Sequence, residues 1–178
     1  HLQQTENTNY ALNYEVHDVC NNTFEDELLG KVHCEYKTHE LTLIRTDRVI
    51  SYNLGCVVDD ILEGVTEIVR GADLIDITPA QLSLYSSFNK NAPRYLHLPL
   101  IMQDSERKLS KQNHSPAVLD LASPQKLLIT GLKFLNQETE DLNEDMSVYK
   151  ILSKAVDRFC IENISKRALL MIKIQHSQ

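Results

Sequence analysis

Apolar and polar residues alternate over short stretches in the first third of the chain, which is the spacing of half-buried β-strands. The pattern predicts strands over residues 10–19 and 27–34. Two shorter strands are predicted over residues 41–45 and 49–52, on either side of a Thr-Asp-Arg turn. The first third is therefore expected to contribute strands to a mixed α/β arrangement.

The pattern changes to helical spacing in the next part of the chain. Apolar residues recur every three or four positions over residues 53–62, which predicts a helix that ends at Gly64. A short β-rich run follows over residues 65–69. A second helix is predicted over residues 78–88, with Thr78 as its N-cap and a proline at its first helical position.

The rest of the chain combines one strand with helices. Residues 95–102 predict a strand that Pro99 interrupts, and the polar segment 103–116 has no clear periodicity. Helices are predicted over residues 123–135, 146–159 and 165–171. The order of elements predicts an α/β protein whose last third is helical.

Charge and composition narrow the class of protein. The 178 residues carry a formal net charge of −7 and are 42% hydrophobic, as in ordinary soluble domains. An acidic chain is a poor non-specific binder of nucleic acid, although Arg107, Lys108 and Lys111 form a local basic cluster. No apolar run approaches the roughly 20 residues that cross a membrane. The polar first ten residues show no secretory signal, so a cytoplasmic, non-membrane protein is expected.

The cysteines give no sign of a metal site. They stand at positions 20, 34, 56 and 160 and form no CxC or CxxC pair. Because zinc sites usually draw on such closely spaced pairs, none is predicted. Scattered free thiols are typical of a cytosolic protein.

The most informative stretch is KLSK at residues 108–111, which QNH follows directly. Lys108 and Lys111 bracket Ser110 in a segment without periodicity, and such a loop can bring ammonium groups to the phosphates of a nucleotide. An isolated short Lys-rich string is more often a solvated surface. The preceding sequence changes that balance.

Four segments occur in a characteristic order. They are SYNL with VVDD (51–60), GVTEIVRGAD (64–73), PRYLHLP (93–99) and KLSKQNHSPA (108–117). The series resembles the second half of the catalytic domain of glutamyl-tRNA synthetases, and KLSK resembles the KMSKS-type loop of class I aminoacyl-tRNA synthetases. The QNH after KLSK is similar to a narrower group, the glutamyl-Q tRNA(Asp) synthetases.

The resemblance implies a Rossmann-type fold and a ligase activity. Residues 1–118 would form a partial Rossmann-type catalytic domain, and residues 119–178 a helical C-terminal region. The implied reaction is ATP-dependent activation of L-glutamate, with Mg²⁺ accompanying the ATP, and transfer to the queuosine base of tRNA(Asp). The complete protein is expected to be a monomer.

The resemblance also implies roles for individual residues. Tyr52 and Arg70 match the family's glutamate-binding tyrosine and arginine, and a guanidinium can hold a carboxylate with two parallel hydrogen bonds. Lys108, Ser110 and Lys111 match the ATP-binding loop. Lys111 is the expected catalytic residue, because it would stabilise charge on the α-phosphate and the leaving pyrophosphate.

Ordinary structural interpretations compete with these roles. Tyr52 could be a half-buried core tyrosine. Arg70 could form a surface salt bridge with Asp73 or Glu67, which is the more common fate of an arginine. His97 lies in an apolar alternation and is more typical of a packed histidine than of a general base.

The chain departs from the family in what it lacks. It contains no HIGH-type motif, and the family's cysteine-rich zinc motif is also missing. We therefore expect a C-terminal part of the catalytic domain that is inactive alone. Two alternatives stay open: a truncated glutamyl-tRNA synthetase that charges tRNA(Glu), and a non-catalytic remnant that binds nucleotide or tRNA or docks with a separate N-terminal half.

Overall fold

The structure is a computed structural model that describes residues 10–16, 23–34, 40–102, 122–167 and 169–171. The chain divides into two units, residues 1–97 and 98–178. The domain boundary predicted after residue 118 lies outside the described residues.

Strands and helices mix along the chain, which confirms the predicted α/β class. The first unit contains β1 (Leu12–Glu15), β2 (Thr23–Asp26), β3 (Gly30–His33), β4 (Glu40–Ile44), α1 (Tyr52–Glu63), β5 (Glu67–Gly71), α2 (Thr78–Ser87) and, at its end, β6 (Arg94–Leu98). The second contains β7 (Leu100–Met102), α3 (Pro124–Phe134), α4 (Val148–Arg158) and β8 (Leu169–Met171). No helix in the described ranges is long and apolar enough to cross a membrane.

The larger sheet of the first unit has the strand order β3-β2-β6-β5. β2 pairs antiparallel with β3 and parallel with β6. The strand predicted over residues 27–34 is wrong in its first part, because residues 27–29 form a turn before β3. The strand β2, on the other side of this turn, was not predicted. Asp26 favours this turn, since its Oδ1 accepts the backbone N–H groups of Leu28 and Leu29 at 3.0 and 2.9 Å. Gly30 then begins β3 with a φ of 75°.

β1 and β4 form a separate antiparallel pair. The strand predicted over residues 49–52 is only a single bridge at Ile50, because α1 begins there. The Ser51 hydroxyl accepts the Leu54 N–H at 3.3 Å and caps the helix. The predicted helix is confirmed, and Gly64 ends it with a left-handed φ of 71°.

Two apolar clusters hold the elements of the first unit together. One joins the β1–β4 pair to α1 and α2 and contains Leu41, Val57, Ala80, Leu84 and Tyr85. The other lies on the larger sheet and contains Phe24, Cys34 and Tyr95. Since burial of one large apolar side chain contributes about 1.5–3 kcal/mol, these clusters fix both helices against the strands.

Helix α2 begins one residue earlier than predicted. Ile77 precedes its first turn, and Thr78 is the first helical residue rather than the N-cap. The Thr78 hydroxyl donates to the Leu74 carbonyl oxygen at 2.9 Å instead of capping the helix. Its oxygen stays available as an acceptor.

The helices α3 and α4 of the second unit agree with the sequence prediction. The hydroxyls of Ser123 and Ser147 cap them, as each accepts a backbone N–H at 3.2 Å. The helices pack through a core that includes Ile129, Leu142 and Ile151.

The helix predicted over residues 165–171 is wrong. Residues Leu169–Met171 form β8, which pairs parallel with β7. The conformation of a strand of three residues depends on the partner strand that it pairs with more than on its own sequence.

Candidate functional site

Arg70 lies near the end of β5 and donates four hydrogen bonds to neighbouring groups. Its Nε–H donates to Nε2 of His97 at 2.9 Å, and Nη1 donates to Oε1 of Gln81 at 2.7 Å. Nη2 donates to Oγ1 of Thr78 at 2.7 Å and to the carbonyl oxygen of Leu74 at 3.3 Å. None of these acceptors is a carboxylate, so they hold the guanidinium without neutralising its charge.

The guanidinium keeps one donor for another group. It has five N–H donors in total, and one Nη1 N–H has no acceptor within the described part of the chain. The ring of Tyr95 lies 4.8 Å from Cζ, which is a cation–π distance. Arg70 can therefore bind a carboxylate through one N–H directly, and bidentate binding would require it to release a protein acceptor.

His97 is held in turn by Asp26, and both side chains are completely buried. Oδ2 of Asp26 lies 2.7 Å from Nδ1 of His97 and accepts the backbone N–H of His97 at 3.0 Å. When Nδ1 carries the proton and donates to Asp26, Nε2 is unprotonated and can accept the Nε–H of Arg70. One neutral tautomer thus satisfies both ring nitrogens.

Burial sets the charge states of these groups. It lowers the pKa of His97 from its ordinary value near 6.5, and this effect outweighs the hydrogen bond to Asp26, which raises that pKa. Arg70 also lowers the pKa of His97 by charge repulsion. Burial lowers the pKa of Arg70 itself, but a guanidinium stays charged at neutral pH. The site therefore holds a neutral imidazole against a charged guanidinium.

Tyr52 is the first residue of α1, and 66% of it is exposed. The interpretation as a half-buried core tyrosine is therefore wrong. A side-chain hydrogen bond with Cys56, one turn further along the helix, raises the pKa of Tyr52, whereas the charge of Arg70 lowers it. Tyr52 in turn raises the pKa of Arg70, so the two side chains lie within range of each other's charge, and their glutamate-binding roles stay predictions.

Polar side chains of α1 and α2 complete the surroundings of the guanidinium. Nε2 of Gln81 donates to Oδ1 of Asn53 at 3.1 Å, which leaves Oε1 of Gln81 to face the guanidinium. The Tyr85 hydroxyl donates to Oδ2 of Asp60 at 3.1 Å. The buried Tyr95 hydroxyl has no hydrogen-bond partner among the described residues, and burial raises its pKa to about 12. The Tyr95 hydroxyl is therefore a buried polar group that can still form a hydrogen bond.

The ordinary interpretations have different outcomes. Glu67 forms its ion pair with Arg94 at 2.6 Å, on the exposed side of the sheet. Neither Glu67 nor Asp73 is among the four acceptors of Arg70. His97 is a packed histidine, as the sequence indicates, and it also holds Arg70.

Sequence reasoning did not find four residues of the site, namely Asp26, Asn53, Thr78 and Gln81. A weak signal existed for the last two, because positions three apart on a helix share a face. No local signal existed for Asp26, since it lies 71 positions away from His97.

Lys108, Ser110 and Lys111 lie in segment 103–121, outside the described residues. ATP binding and the catalytic role of Lys111 therefore stay predictions. The described residues include no group of three or more His, Cys, Asp or Glu side chains that could hold a metal ion, and the cysteines they include are free thiols.

The chain matches the family described as "tRNA synthetases class I (E and Q), catalytic domain" over residues 3–167. It is 44% identical over 149 residues to the glutamyl-Q tRNA(Asp) synthetase of Escherichia coli (strain K12), which covers 83% of this chain and 48% of the relative. The protein of that name from Yersinia pseudotuberculosis serotype I is 42% identical over 143 residues, covering 79% of this chain and 43% of the relative. The chain thus spans about half the length of the curated relatives it matches.

Two solved structures share the fold. The glutamate-tRNA synthetase of Elizabethkingia anophelis superposes with a TM-score of 0.65 at 16% identity, over 93% of this chain and 35% of that one. A glutamate tRNA ligase from Elizabethkingia meningosepticum, in complex with its amino acid, gives 0.58 at 18% identity, over 81% and 32%. These matches confirm the fold expected of a class I catalytic domain.

Proposed function

Because the chain belongs to the catalytic-domain family of class I tRNA synthetases for glutamate and glutamine, we propose that it carries the amino-acid site of an enzyme that activates L-glutamate with ATP. The glutamyl group would then pass to the queuosine base of tRNA(Asp), since the curated relatives are named glutamyl-Q tRNA(Asp) synthetase. The reaction is proposed for the whole protein, because this chain spans about half of those relatives.

The observation that carries the proposal is a half-buried guanidinium whose four acceptors are neutral, with the exposed Tyr52 phenol within range of its charge. A carboxylate that meets the remaining Nη1 N–H of Arg70 would receive a charge-assisted hydrogen bond, roughly twice as strong as a neutral one. The Tyr52 hydroxyl can donate a second bond to the same ligand. The two residues together suit an acidic amino acid.

In the activation step, a carboxylate oxygen of glutamate attacks the α-phosphorus of ATP, which forms glutamyl-adenylate and releases pyrophosphate. Negative charge grows on the phosphate oxygens, so we expect Lys108 and Lys111 to stabilise it and Ser110 to donate a hydrogen bond. Mg²⁺ that arrives with ATP would supply further charge neutralisation. The tRNA nucleophile then displaces AMP from the adenylate.

Glutamate-dependent ATP–pyrophosphate exchange without tRNA tests the activation step. It is measured on this chain and on this chain joined to the portion of the Escherichia coli relative that it does not cover. Exchange by the joined protein is the expected result. The absence of exchange from both proteins, when both are folded, would overturn the proposal.

Matched arginine variants connect the exchange to the site. Arg70→Lys keeps the charge but loses the planar fork, so exchange should fall roughly 100-fold. Arg94→Lys is the control, because Arg94 is exposed and pairs only at the surface with Glu27 and Glu67. It should leave exchange within about twofold.

A truncated glutamyl-tRNA synthetase is the competing enzyme, and the solved structures that share the fold are named glutamate-tRNA synthetase and glutamate tRNA ligase. The two enzymes differ in the acceptor. Labelled glutamate should appear on queuosine-modified tRNA(Asp) and not on the unmodified tRNA. Charging of tRNA(Glu) at its 3′ end, independent of queuosine, would favour the competitor.

A half-domain that only binds a partner is the second candidate, and exposed apolar residues near the site favour it. Val49 and Ile50 lie just before Tyr52, and Val69 lies just before Arg70. All three apolar residues are more than half exposed. Such residues are typical of an interface. Complex formation between this chain and the separately expressed remainder of the relative, without restored exchange, would support this candidate over the enzyme.

A further inference from the structure

We propose that Asp26 and His97 are positioning residues, which hold Arg70 in the orientation that recognises the glutamate carboxylate. The identity of the ligand rests on the proposed function. The positioning rests on contacts within the first unit, where a buried carboxylate, a buried imidazole and a half-buried guanidinium are joined by successive hydrogen bonds of 2.7 and 2.9 Å.

Asp26 is a rigid anchor for this series of bonds. Its Oδ1 accepts the N–H groups of Leu28 and Leu29, and its Oδ2 accepts the backbone N–H and the Nδ1 proton of His97. A carboxylate has about four lone-pair sites, so these bonds saturate it. Rotation of the Asp26 side chain would break its bonds to the turn between β2 and β3 and to His97 in β6, which fixes the position of Oδ2.

The imidazole of His97 has one possible orientation. It stacks on the Tyr95 ring at 5.8 Å with an interplanar angle of 10°, and the Phe24 ring meets it edge-on at 5.8 Å. A 180° flip of the ring would exchange Nδ1 with Cδ2 and Nε2 with Cε1 and lose the bonds to both Asp26 and Arg70. In the observed orientation, the tautomer with the proton on Nδ1 is the one that satisfies both bonds.

This tautomer controls the direction of the guanidinium. An Nε–H has a single direction, so its bond to Nε2 of His97 restricts rotation about the last torsion of the Arg70 side chain. Gln81 and Thr78 then bind Nη1 and Nη2. The remaining Nη1 N–H is aimed before any ligand arrives, which lowers the entropy cost of binding.

The first test needs neither a variant nor a ligand. The ¹⁵N chemical shifts of the His97 ring nitrogens at pH 7.5 report which nitrogen carries the proton. We expect a protonated Nδ1 and an unprotonated Nε2. A proton on Nε2 would overturn the proposal, because Nε2 could not then accept from Arg70.

The second test uses two variants that differ by one methylene. His97→Asn keeps an N–H donor near the place of Nδ1 but has no acceptor at the place of Nε2, whereas His97→Gln reaches far enough to present an oxygen to Arg70. We expect solvent exchange of the Arg70 Nε–H, followed by NMR, to accelerate at least about tenfold in His97→Asn and to recover in His97→Gln. Equal exchange rates in both variants and the wild type would overturn the proposal.

L-glutamate titrations of the protein joined to the uncovered portion of the Escherichia coli relative connect positioning with recognition. The dissociation constant should rise about tenfold in His97→Asn and return to within about threefold in His97→Gln. A purely structural pair would lower the melting temperature of both variants without this difference in affinity. If the joined protein without substitutions binds no L-glutamate, the proposed function fails, and the tautomer and the Arg70 exchange rates still decide the positioning.

Discussion

The two units each contain an arginine fixed by hydrogen bonds, but the partners differ. In the second unit, the exposed Asp141 accepts from Arg158 at 2.6 Å and also from Lys154, and these opposite charges compensate one another. In the first unit, Arg70 is half-buried and bonded to two side-chain oxygens, a backbone carbonyl and an imidazole. The charge of Arg158 is therefore compensated within the fold, whereas the charge of Arg70 is not.

The comparison shows how a fold can keep the charge of an arginine available for a ligand. An arginine that is paired with a carboxylate has already bound the kind of ligand that it could recognise. Neutral acceptors hold the guanidinium of Arg70 in one direction and leave most of its charge for a ligand. Asp60 is the carboxylate of the described residues that acts on Arg70 electrostatically, and Tyr85 already donates to it.

Removal of each arginine should give the largest contrast. Arg70→Leu should raise the dissociation constant for L-glutamate roughly 100-fold, because it removes both the charge and the aimed N–H. Arg158→Leu is the matched control and should leave that constant unchanged. Isothermal titration calorimetry measures both. Equal losses in the two variants would show that general charge, rather than the Arg70 site, attracts glutamate.

The carboxylates should differ in their contribution to stability. Asp26→Asn replaces one carboxylate oxygen by an NH₂ group, which then faces N–H groups that donate to Asp26 in the wild type. The substitution should lower the free energy of unfolding by about 3 kcal/mol, as when one partner of a buried pair is removed. Asp141→Asn should cost less, since Asp141 is exposed and its partners are only partly buried. Urea denaturation followed by circular dichroism measures both. A larger loss in Asp141→Asn would contradict the comparison.

Acid should affect the two regions in different pH windows. Because the pKa of native His97 is lowered, the unfolded chain binds an extra proton as the pH falls below about 6.5, and stability decreases until the native pKa is reached. Asp26, Arg70 and Asp73 are the charged groups that act on His97. The pKa of Asp141 is also lowered, by its bonds to Arg158 and Lys154, so its contribution is lost only below about pH 3.8.

Unfolding free energies between pH 8 and pH 2 test this order, with His97→Gln as the control that cannot titrate. The decrease below pH 6.5 should be smaller in His97→Gln than in the wild type. Identical pH profiles would mean that His97 is not held neutral in the native state.

Tyr95→Phe should have the smallest effect. It removes the buried hydroxyl that has no partner among the described residues and keeps the ring under Arg70. We expect stability to stay unchanged or to rise by up to about 1 kcal/mol, since an unpaired buried hydroxyl carries a desolvation cost. A loss of more than about 1 kcal/mol in urea denaturation would mean that the hydroxyl has a partner, such as a bound water.

The helices could be predicted from the sequence because their signals are local. Gly64 ends α1, and Ser123 and Ser147 cap α3 and α4, each within a turn of the residues it affects. The strands β2 and β8 could not, because segments of three or four residues depend on partners elsewhere in the chain.

The site shows the same limit. Tyr52 and Arg70 could be named from the resemblance of their segments to a known family. Asp26 could not, because its partner His97 lies 71 positions away and neither residue stands in a pattern that indicates the other. Likewise, the sequence predicts that Thr78 caps a helix. In the structure its hydroxyl instead donates to the Leu74 carbonyl oxygen and accepts from Arg70.

The most direct test of the central claim is to follow the side-chain ¹⁵N signals of Arg70 and Arg158 while L-glutamate is added. We expect saturable shifts of the Arg70 Nη and Nε signals and constant signals for Arg158. Among the His97 variants, the glutamate concentration at half-saturation should follow the order of their dissociation constants. Saturable glutamate binding that leaves the Arg70 signals unchanged would contradict the central claim.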